Sequence, residues 1–267
     1  MSLKILFFGD IVGKIGRQAL SQILPKMKEE LEPDLVIANA ENLAHGLGIT
    51  KKTIQEVKEA GVDFFTSGNH VWNKSEGNEI LSEKDPIIIR PANYPEGVSG
   101  LGEKVIELGT KKLLVINLLG RVFMDIQVDC PFKKFDEIYK KYESKKLAGI
   151  LVDFHAEATS EKVALGWYLD GRASAVLGTH THIATSDNRI FPQGTGFVSD
   201  IGMVGARDSV IGDTKESVLK RFLTQLPEPL EIPETGWVTV NSVLVEIDPK
   251  TKRATSIKRV DKEVEIR

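Results

Sequence analysis

The chain has 267 residues, 41% of them hydrophobic and 27% charged, and this ordinary globular composition excludes a disordered chain, a coiled coil and a collagen-like fibre. A formal net charge of −3 is unlike that of a general nucleic-acid binder, so we expect no DNA partner. The single cysteine, Cys130, cannot form an internal disulfide bond. The N-terminal apolar run, residues 5–8, is too short for a secretion signal, and no stretch is long enough to span a membrane. We therefore predict a soluble cytoplasmic protein.

Short apolar runs alternate with amphipathic stretches through the first two thirds of the chain. Continuous apolar runs of this length suit strands that are buried on both faces. The predicted strands are Leu3–Phe8, Leu35–Ala38, Val62–Thr66, Lys112–Leu118, Ala148–Phe154 and Ala173–Leu177. The predicted helices are Lys14–Leu31, Thr50–Ala60, Phe132–Lys145 and Thr159–Leu169, with Thr50 as N-cap and Gly61 just past the C-terminus of the second. This alternation predicts an α/β fold whose helices cover a parallel or mixed sheet.

The last third of the chain has a different pattern. A helix is predicted near Lys215–Leu226. Polar and apolar residues then alternate over Trp237–Ile247 and again over Ala254–Ile266, on either side of a turn at Pro249-Lys250. These two segments predict an antiparallel pair that closes the fold. Because no linker, repeat or low-complexity tract is apparent, we predict one domain over residues 1–267.

Five of the predicted strands are followed by polar residues that can bind a metal ion. They are Asp10, Glu41, Asn42, Asn69, His70, His155, His180 and His182. In open α/β sheets, functional sites form outside the carboxyl ends of the strands, so we expect these side chains to converge. Four of the five histidines of the chain lie at these positions. The glycines at 9, 68 and 178 are expected to let the backbone turn sharply there.

The candidate ligands have a defined chemistry. Carboxylates, amide oxygens and imidazoles, without cysteine, suit borderline and hard divalent metals. The metal-ligand candidates are Asp10, Glu41, Asn42, Asn69, His155, His180 and His182. This set is too large for one ion and about right for two. A pair of ions bridged by a carboxylate can activate a shared water for attack on phosphorus.

These motifs, in this order, resemble the calcineurin-like metallophosphoesterases, and among them most closely the YmdB-like subfamily of phosphodiesterases. The matching stretches are Phe8–Gly13, Ala40–Asn42, Gly46–Thr50, Thr66–Trp72, Asp153–Glu157, Gly178–His182 and Ser199–Met203. The general superfamily pattern has Asp-x-His at the first strand and a bridging Asp at the second. Here Asp10-Ile11-Val12 and Glu41-Asn42 stand in those places, as in the YmdB-like subfamily.

The resemblance implies a four-layer sandwich of two mixed β-sheets flanked by helices. It also implies two divalent metal ions, with Fe or Mn preferred and Mg or Zn as alternatives. By motif position, the first ion takes Asp10, Asn42 and His182, the second takes Asn69, His155 and His180, and Glu41 bridges them. His70 would be a general acid or a phosphate contact, and the implied reaction is hydrolysis of 2′,3′-cyclic nucleotides by a metal-bridging hydroxide. The resemblance further implies self-association into a homo-oligomer.

Other interpretations stay open at this point. A phosphomonoesterase, such as a nucleotidase, would use the same metal core. A regulatory protein that binds a nucleotide, an RNA or an RNA-processing partner would keep the metals for structure. A flavodoxin-like module explains the strand–helix rhythm but not the histidines. Asp153 and Glu157, on either side of His155, are candidates to orient an imidazole, although Asp153 could equally be a buried structural carboxylate. Asp200–Met203 is a candidate for a wall of the pocket.

Overall fold

The computed structural model describes residues 2–267; Met1, which the predicted domain includes, lies outside them. Strands and helices alternate as far as α5, except where two strands follow each other before α4, and strands dominate after α5. In chain order the elements are β1 (Leu3–Ile11), α1 (Gly13–Leu31), β2 (Leu35–Asn39), α2 (Lys51–Glu59), β3 (Phe64–Thr66), α3 (Glu76–Leu81), β4 (Glu103–Leu108), β5 (Lys111–Leu119), α4 (Pro131–Tyr142), β6 (Gly149–His155), α5 (Thr159–Tyr168), β7 (Ala175–Thr179), β8 (Arg189–Ile190), β9 (Gly196–Val198), β10 (Met203–Ala206), α6 (Lys215–Thr224), β11 (Gly236–Val240), β12 (Ser242–Ile247), β13 (Ala254–Arg259) and β14 (Lys262–Ile266).

The strands form two mixed sheets. The first has the order β13-β12-β1-β10-β11-β14, with β2 paired to β1 and β3 paired to β2. In this sheet β1 is parallel to β2 and β10 and antiparallel to β12. The second sheet has the order β4-β5-β6-β7-β9-β8, in which β5, β6, β7 and β9 are parallel. The prediction of two mixed β-sheets flanked by helices is confirmed.

Three clusters of buried apolar residues hold the two sheets and the helices together in layers. Alternate residues of β1 face opposite ways, as the two-residue period of a strand requires. Leu3, Ile5 and Phe7 pack between the sheets against residues of the second sheet such as Leu151. Leu6 and Phe8 instead pack towards α1 and α2, in a cluster that contains Leu20 of α1. A third cluster joins the second sheet to α4 and α5. Helices thus cover the outer face of each sheet.

The five predicted helices match α1, α2, α4, α5 and α6 to within three residues at each end, whereas α3 was not predicted. Thr50 is the N-cap of α2, since its hydroxyl accepts a hydrogen bond from the backbone N–H of Thr53 at 3.2 Å. Gly61, with φ +113°, follows the C-cap of α2 as predicted. Every helix within residues 2–267 is too short or too polar to cross a membrane. The cytoplasmic location stays a prediction.

The predicted C-terminal strand pair was wrong in detail. Each of its two long segments is divided into two strands, and β11 pairs with β14 while β12 pairs with β13. The first segment is interrupted at Asn241, whose side-chain oxygen accepts a hydrogen bond from Met203 at 3.2 Å. The second is interrupted before Asp261, whose carboxylate accepts one from the backbone N–H of Ser242 at 3.0 Å. At these interruptions the pairing changes: β11 pairs with β10, whereas β12 pairs with β1. The alternation of polar and apolar residues alone does not reveal this change.

Candidate metal centre

One group of candidate ligands is formed by Glu41, His155 and His180. Glu41 follows β2, His155 is the last residue of β6, and His180 follows β7. Each offers a ligand atom within 4.8 Å of the others. His155 Nε2 lies 3.0 Å from Glu41 Oε1 and 3.0 Å from His180 Nδ1. His155 and Glu41 are almost completely buried. The carboxyl ends of strands from both sheets therefore meet at this point.

A second group is formed by Asp10, Asn42 and His182. His182 Nε2 lies 3.0 Å from the Asn42 side-chain nitrogen and 3.9 Å from Asp10 Oδ1. The same Asp10 oxygen lies 3.8 Å from His155 Nδ1, so Asp10 stands between the two groups. Asn42 presents its NH₂ towards His182, and it would have to turn its amide over to offer an oxygen to a metal ion.

Several polar atoms at this place are buried without a hydrogen-bond partner among residues 2–267. They are Asp10 Oδ1, Asn69 Oδ1 and His70 Nδ1. A buried polar atom without a partner is costly, and native structures contain few of them. Two of these atoms belong to predicted metal ligands, and His70 Nδ1 lies 3.5 Å from Glu41 Oε1. The two unpaired acceptor oxygens, on Asp10 and Asn69, fit a site that takes up cations.

The ring of His155 is oriented by residues behind it. Its Nδ1 lies 2.9 Å from the hydroxyl oxygen of Thr179. That hydroxyl donates its only proton to Asp153 Oδ1 at 2.7 Å, so it accepts a hydrogen bond from His155 Nδ1–H. Asn39 donates to the other carboxylate oxygen of Asp153 at 3.1 Å. The Nε2 lone pair of His155 is thereby left to face Glu41 and His180, as a metal ligand requires.

The other two histidines are oriented in the same way. His182 Nδ1 donates to the backbone carbonyl of Ile211 at 2.6 Å, which leaves its Nε2 facing Asp10. His180 Nε2 lies 3.2 Å from the carboxylate of Glu157, which leaves its Nδ1 facing His155. Each imidazole thus has one nitrogen held by the protein and one available to a metal ion.

Burial and charge shift the pKa values of these groups strongly. Burial raises the pKa of Glu41, but the facing His155 and then His70 outweigh it and lower the value to about 2. Burial lowers the pKa of His155, but Glu41 and then Asp10 outweigh it and raise the value to about 9. Burial raises the pKa of Asp10, and burial together with the charge of His155 lowers that of His180 to about 3. In the metal-free site His155 therefore keeps an extra proton between the carboxyl groups of Asp10 and Glu41. This preference for a positive charge is the one that a metal cation would satisfy.

The three glycines permit close packing rather than sharp turns, so that prediction was wrong. None of Gly9, Gly68 and Gly178 has a positive φ. A Cβ at Gly68 would lie 2.1 Å from Glu41 Oε2, and one at Gly178 would lie 1.7 Å from a backbone oxygen. The left-handed conformations belong instead to His180 (φ 100°) and His182 (φ 65°).

Sequence reasoning missed several residues around the site. Thr179, whose hydroxyl contacts His155, directly precedes the predicted ligand His180, and this position in the sequence was a usable signal. Ile211 acts through its backbone and left no signal in the sequence. Asp200, expected in a wall of the pocket, is 1% exposed and lies beneath the loop of His180 and His182, where it meets Lys162. Lys162 lies on the buried side of α5, where an apolar residue would be expected, and that break in pattern was a usable signal. The fifth histidine, His45, is exposed.

Comparison with known proteins finds relatives that match nearly the whole chain. Residues 6–260 match the sequence model for YmdB-like proteins. A Bacillus subtilis protein named 2′,3′-cyclic-nucleotide 2′-phosphodiesterase is 46% identical over 97% of this chain and 96% of its own length. The crystal structure of a novel phosphatase from Mycoplasma pneumoniae superposes with a TM-score of 0.92 at 35% identity, over 100% of this chain and 95% of that one. The Haemophilus influenzae NAD nucleotidase shares the fold, with a TM-score of 0.63 at 11% identity over 99% of this chain and 56% of its own.

Proposed function

The chain belongs to the YmdB-like family, and we propose that it is a metal-dependent phosphodiesterase that hydrolyses 2′,3′-cyclic nucleotides. The observation that carries this proposal is the cluster of Glu41, His155 and His180, whose free ligand atoms lie within 4.8 Å of one another. It lies beside the unpaired carboxylate oxygen of Asp10. Both sheets contribute to this cluster, which also supports our proposal that residues 1–267 act as one domain.

We assign the metal ligands in two sets, with Fe or Mn as the preferred ions. Asp10, Asn42 and His182 would hold one ion, Asn69, His155 and His180 would hold the other, and Glu41 would contact both. The free nitrogens of the three imidazoles and the unpaired oxygens of Asp10 and Asn69 support this assignment. Divalent ions bound here supply the Lewis acidity that makes a nucleophile from water near neutral pH and neutralises charge at phosphorus.

His70 is the proposed general acid. Its backbone N–H donates to Glu41 Oε2 at 3.1 Å, which fixes the residue beside the ligand cluster. Its side chain is 35% exposed, so it can meet a substrate that enters from solvent. The departing ribose oxygen is a poor leaving group without a proton, and an imidazolium at this place would supply one.

The substrate class comes from the named relative and from the chemistry of the ester. The Bacillus subtilis protein is named for cleavage of 2′,3′-cyclic nucleotides at the 2′ position. We propose the same bond for this chain, which would leave a nucleoside 3′-monophosphate. The five-membered cyclic phosphate is strained, and this strain assists ring opening. Self-association remains a prediction from the resemblance alone, and an RNA or RNA-processing partner belongs to the alternative, regulatory interpretation.

The test is hydrolysis of 2′,3′-cyclic AMP by the purified protein, with added Mn²⁺, with chelator, and beside 5′-AMP as a monoester. We expect chelator-sensitive formation of 3′-AMP with little release of phosphate from 5′-AMP. Cleavage of the monoester alone would instead support a nucleotidase with the same ligands. Bound metal without turnover of either compound would support the regulatory interpretation.

A matched pair of histidine variants tests the general acid. His70→Ala should keep its metal content and lose roughly 10²- to 10⁴-fold in turnover of cyclic AMP. The loss should be much smaller for a p-nitrophenyl phosphodiester, because that leaving group needs no proton. His45→Ala, which changes an exposed histidine, should behave as the wild type. Full activity of His70→Ala on cyclic AMP would show that the role belongs to another residue.

A further inference from the structure

A buried ion pair, Lys162 with Asp200, lies directly under the loop that carries His180 and His182. Lys162 Nζ donates to Asp200 Oδ2 at 2.6 Å and to the backbone carbonyl of Thr179 at 2.8 Å. Both side chains are 2% exposed. We propose that this pair is a positioning device that holds each of the two histidines in the position from which it would bind its own metal ion. The inference rests on the metal site proposed above.

The loop needs such support because of its backbone conformation. His180 and His182 both have positive φ, a region that residues with a Cβ rarely adopt and that persists only where surrounding contacts enforce it. Between them, Thr181 is bound twice to Asp200 Oδ2, by its backbone N–H at 3.1 Å and by its hydroxyl at 2.7 Å. Asp200 therefore fixes the residue that separates the two histidines.

The same carboxylate also reaches the other sheet. Asp200 Oδ1 accepts a hydrogen bond from the backbone N–H of Gly202 at 2.8 Å. The carbonyl of Gly202 in turn accepts one from the backbone N–H of Asp10 at 3.1 Å. Asp10 Oδ2 accepts one from the backbone N–H of His180 at 3.1 Å. One side chain thus connects the backbone positions of ligands that come from β1 and from the segment after β7.

The presence of two charged side chains in this buried place is better explained by a positioning role than by a gain in stability. Replacing a buried ion pair with packed apolar residues is often neutral or stabilising, so burial of these charges is not expected for stability alone. Arg259 adds to the same arrangement, since its guanidinium donates to the backbone carbonyls of Asp200 and Ile201 at 3.3 Å and 2.5 Å. Two cations therefore hold the segment on which the histidine loop rests.

The experiment is a calorimetric titration of the metal-free protein with Mn²⁺. Lys162→Met keeps the length of the side chain and removes its charge, and we expect the affinity for Mn²⁺ to fall roughly 10- to 100-fold. The matched control is Arg172→Met, which breaks a 2.6 Å ion pair with Asp136, away from the site. Both variants lose an ion pair, so both can lower the melting temperature. Only Lys162→Met should weaken metal binding.

A milder variant keeps the inference testable if Lys162→Met does not fold. Thr181→Val removes one hydrogen bond to Asp200 from a partly exposed residue, and the affinity for Mn²⁺ should fall roughly fivefold. Wild-type affinity in both variants, or in Thr181→Val alone if the other does not fold, would overturn the positioning role and leave the proposed function intact. A wild-type protein that binds no Mn²⁺ would overturn both.

Discussion

Replacing Gly68 with alanine should damage the metal centre without changing any proposed ligand. Gly68 lies where the segment after β3 passes against the ligands of the neighbouring strands. A Cβ at this position would lie 2.1 Å from Glu41 Oε2 and 2.4 Å from His155 Nε2. The backbone φ of Gly68 is not positive, so the new methyl group brings a steric conflict and no left-handed strain.

The size of the effect follows from these distances. Ordinary contact with a carbon begins at about 3.4 Å, so the methyl group and the two ligand atoms must separate by about 1 Å. His155 is held from behind by Thr179, and the backbone at Gly68 is buried, so neither side yields freely. Overpacking of this kind costs about 1–3 kcal/mol in the free energy of unfolding. A displacement of about 1 Å in a catalytic group can lower turnover about 100-fold.

The assay compares two glycine variants. Gly68→Ala and Gly109→Ala are titrated with Mn²⁺, assayed with 2′,3′-cyclic AMP and unfolded with urea. Gly109 lies in the turn between β4 and β5, has φ +61°, and has nothing within 4 Å of an added Cβ. Gly109→Ala should therefore lose about 1–2 kcal/mol in stability through strain alone. Its metal affinity and turnover should match the wild type.

The decisive comparison is between stability and metal affinity. Gly68→Ala should bind Mn²⁺ at least tenfold more weakly than Gly109→Ala even where their stabilities are similar. Equal metal affinity and equal turnover in the two variants would refute the reasoning, because the atoms that the methyl group displaces would then not be metal ligands.

Three further predictions concern the surroundings of the site. Thr179→Val removes the hydroxyl between His155 and Asp153 and should weaken Mn²⁺ binding roughly 10- to 100-fold in a calorimetric titration; an unchanged affinity would contradict the orienting role. In the metal-free protein, carboxylates outweigh burial and raise the pKa of His155 to about 9, so the folded state binds its proton more tightly than the unfolded state does. The stabilisation from protonated His155 is complete below about pH 6.5 and falls towards pH 9, at up to about 1.4 kcal/mol per pH unit. The melting temperature in chelator at pH 6, 7.5 and 9 measures this loss, and a melting temperature that rises with pH would contradict the prediction. Arg17→Ala removes a 2.6 Å ion pair with Glu56 and a hydrogen bond to the carbonyl of Leu43, and should lower the free energy of unfolding in urea by about 2 kcal/mol. A loss below about 0.5 kcal/mol would show that Arg17 does not hold the segment of Leu43 in place.

The sequence predicts which residues meet because strand ends are readable from local pattern. Apolar runs followed by Asp10, Glu41 or His155 need no tertiary information, and the parallel pairing of neighbouring strands brings their ends together. The two mixed sheets were inferred only through the resemblance, since the alternation of strands and helices gives the class of fold but not the number of sheets.

The contacts that orient the ligands were less accessible. The carbonyl of Ile211 and the ion pair of Lys162 with Asp200 act across long sequence separations, and no local pattern identifies such partners. The role of Gly68 was misjudged for a related reason. A glycine beside a ligand is compatible with a turn and with close packing, and only the position of Glu41 and His155 distinguishes the two.

The position of the ligands across two sheets has a consequence for the whole molecule. Glu41 follows β2 of one sheet and His155 ends β6 of the other, and the apolar layer between the sheets ends beside them. An ion held by both would act as a cross-link between the two halves of that layer. Because an ion that binds only the folded state stabilises it by about 2.7 kcal/mol at one hundred times its dissociation constant, resistance to unfolding would track the concentration of free metal. Metal starvation would then deplete the folded protein as well as its activity.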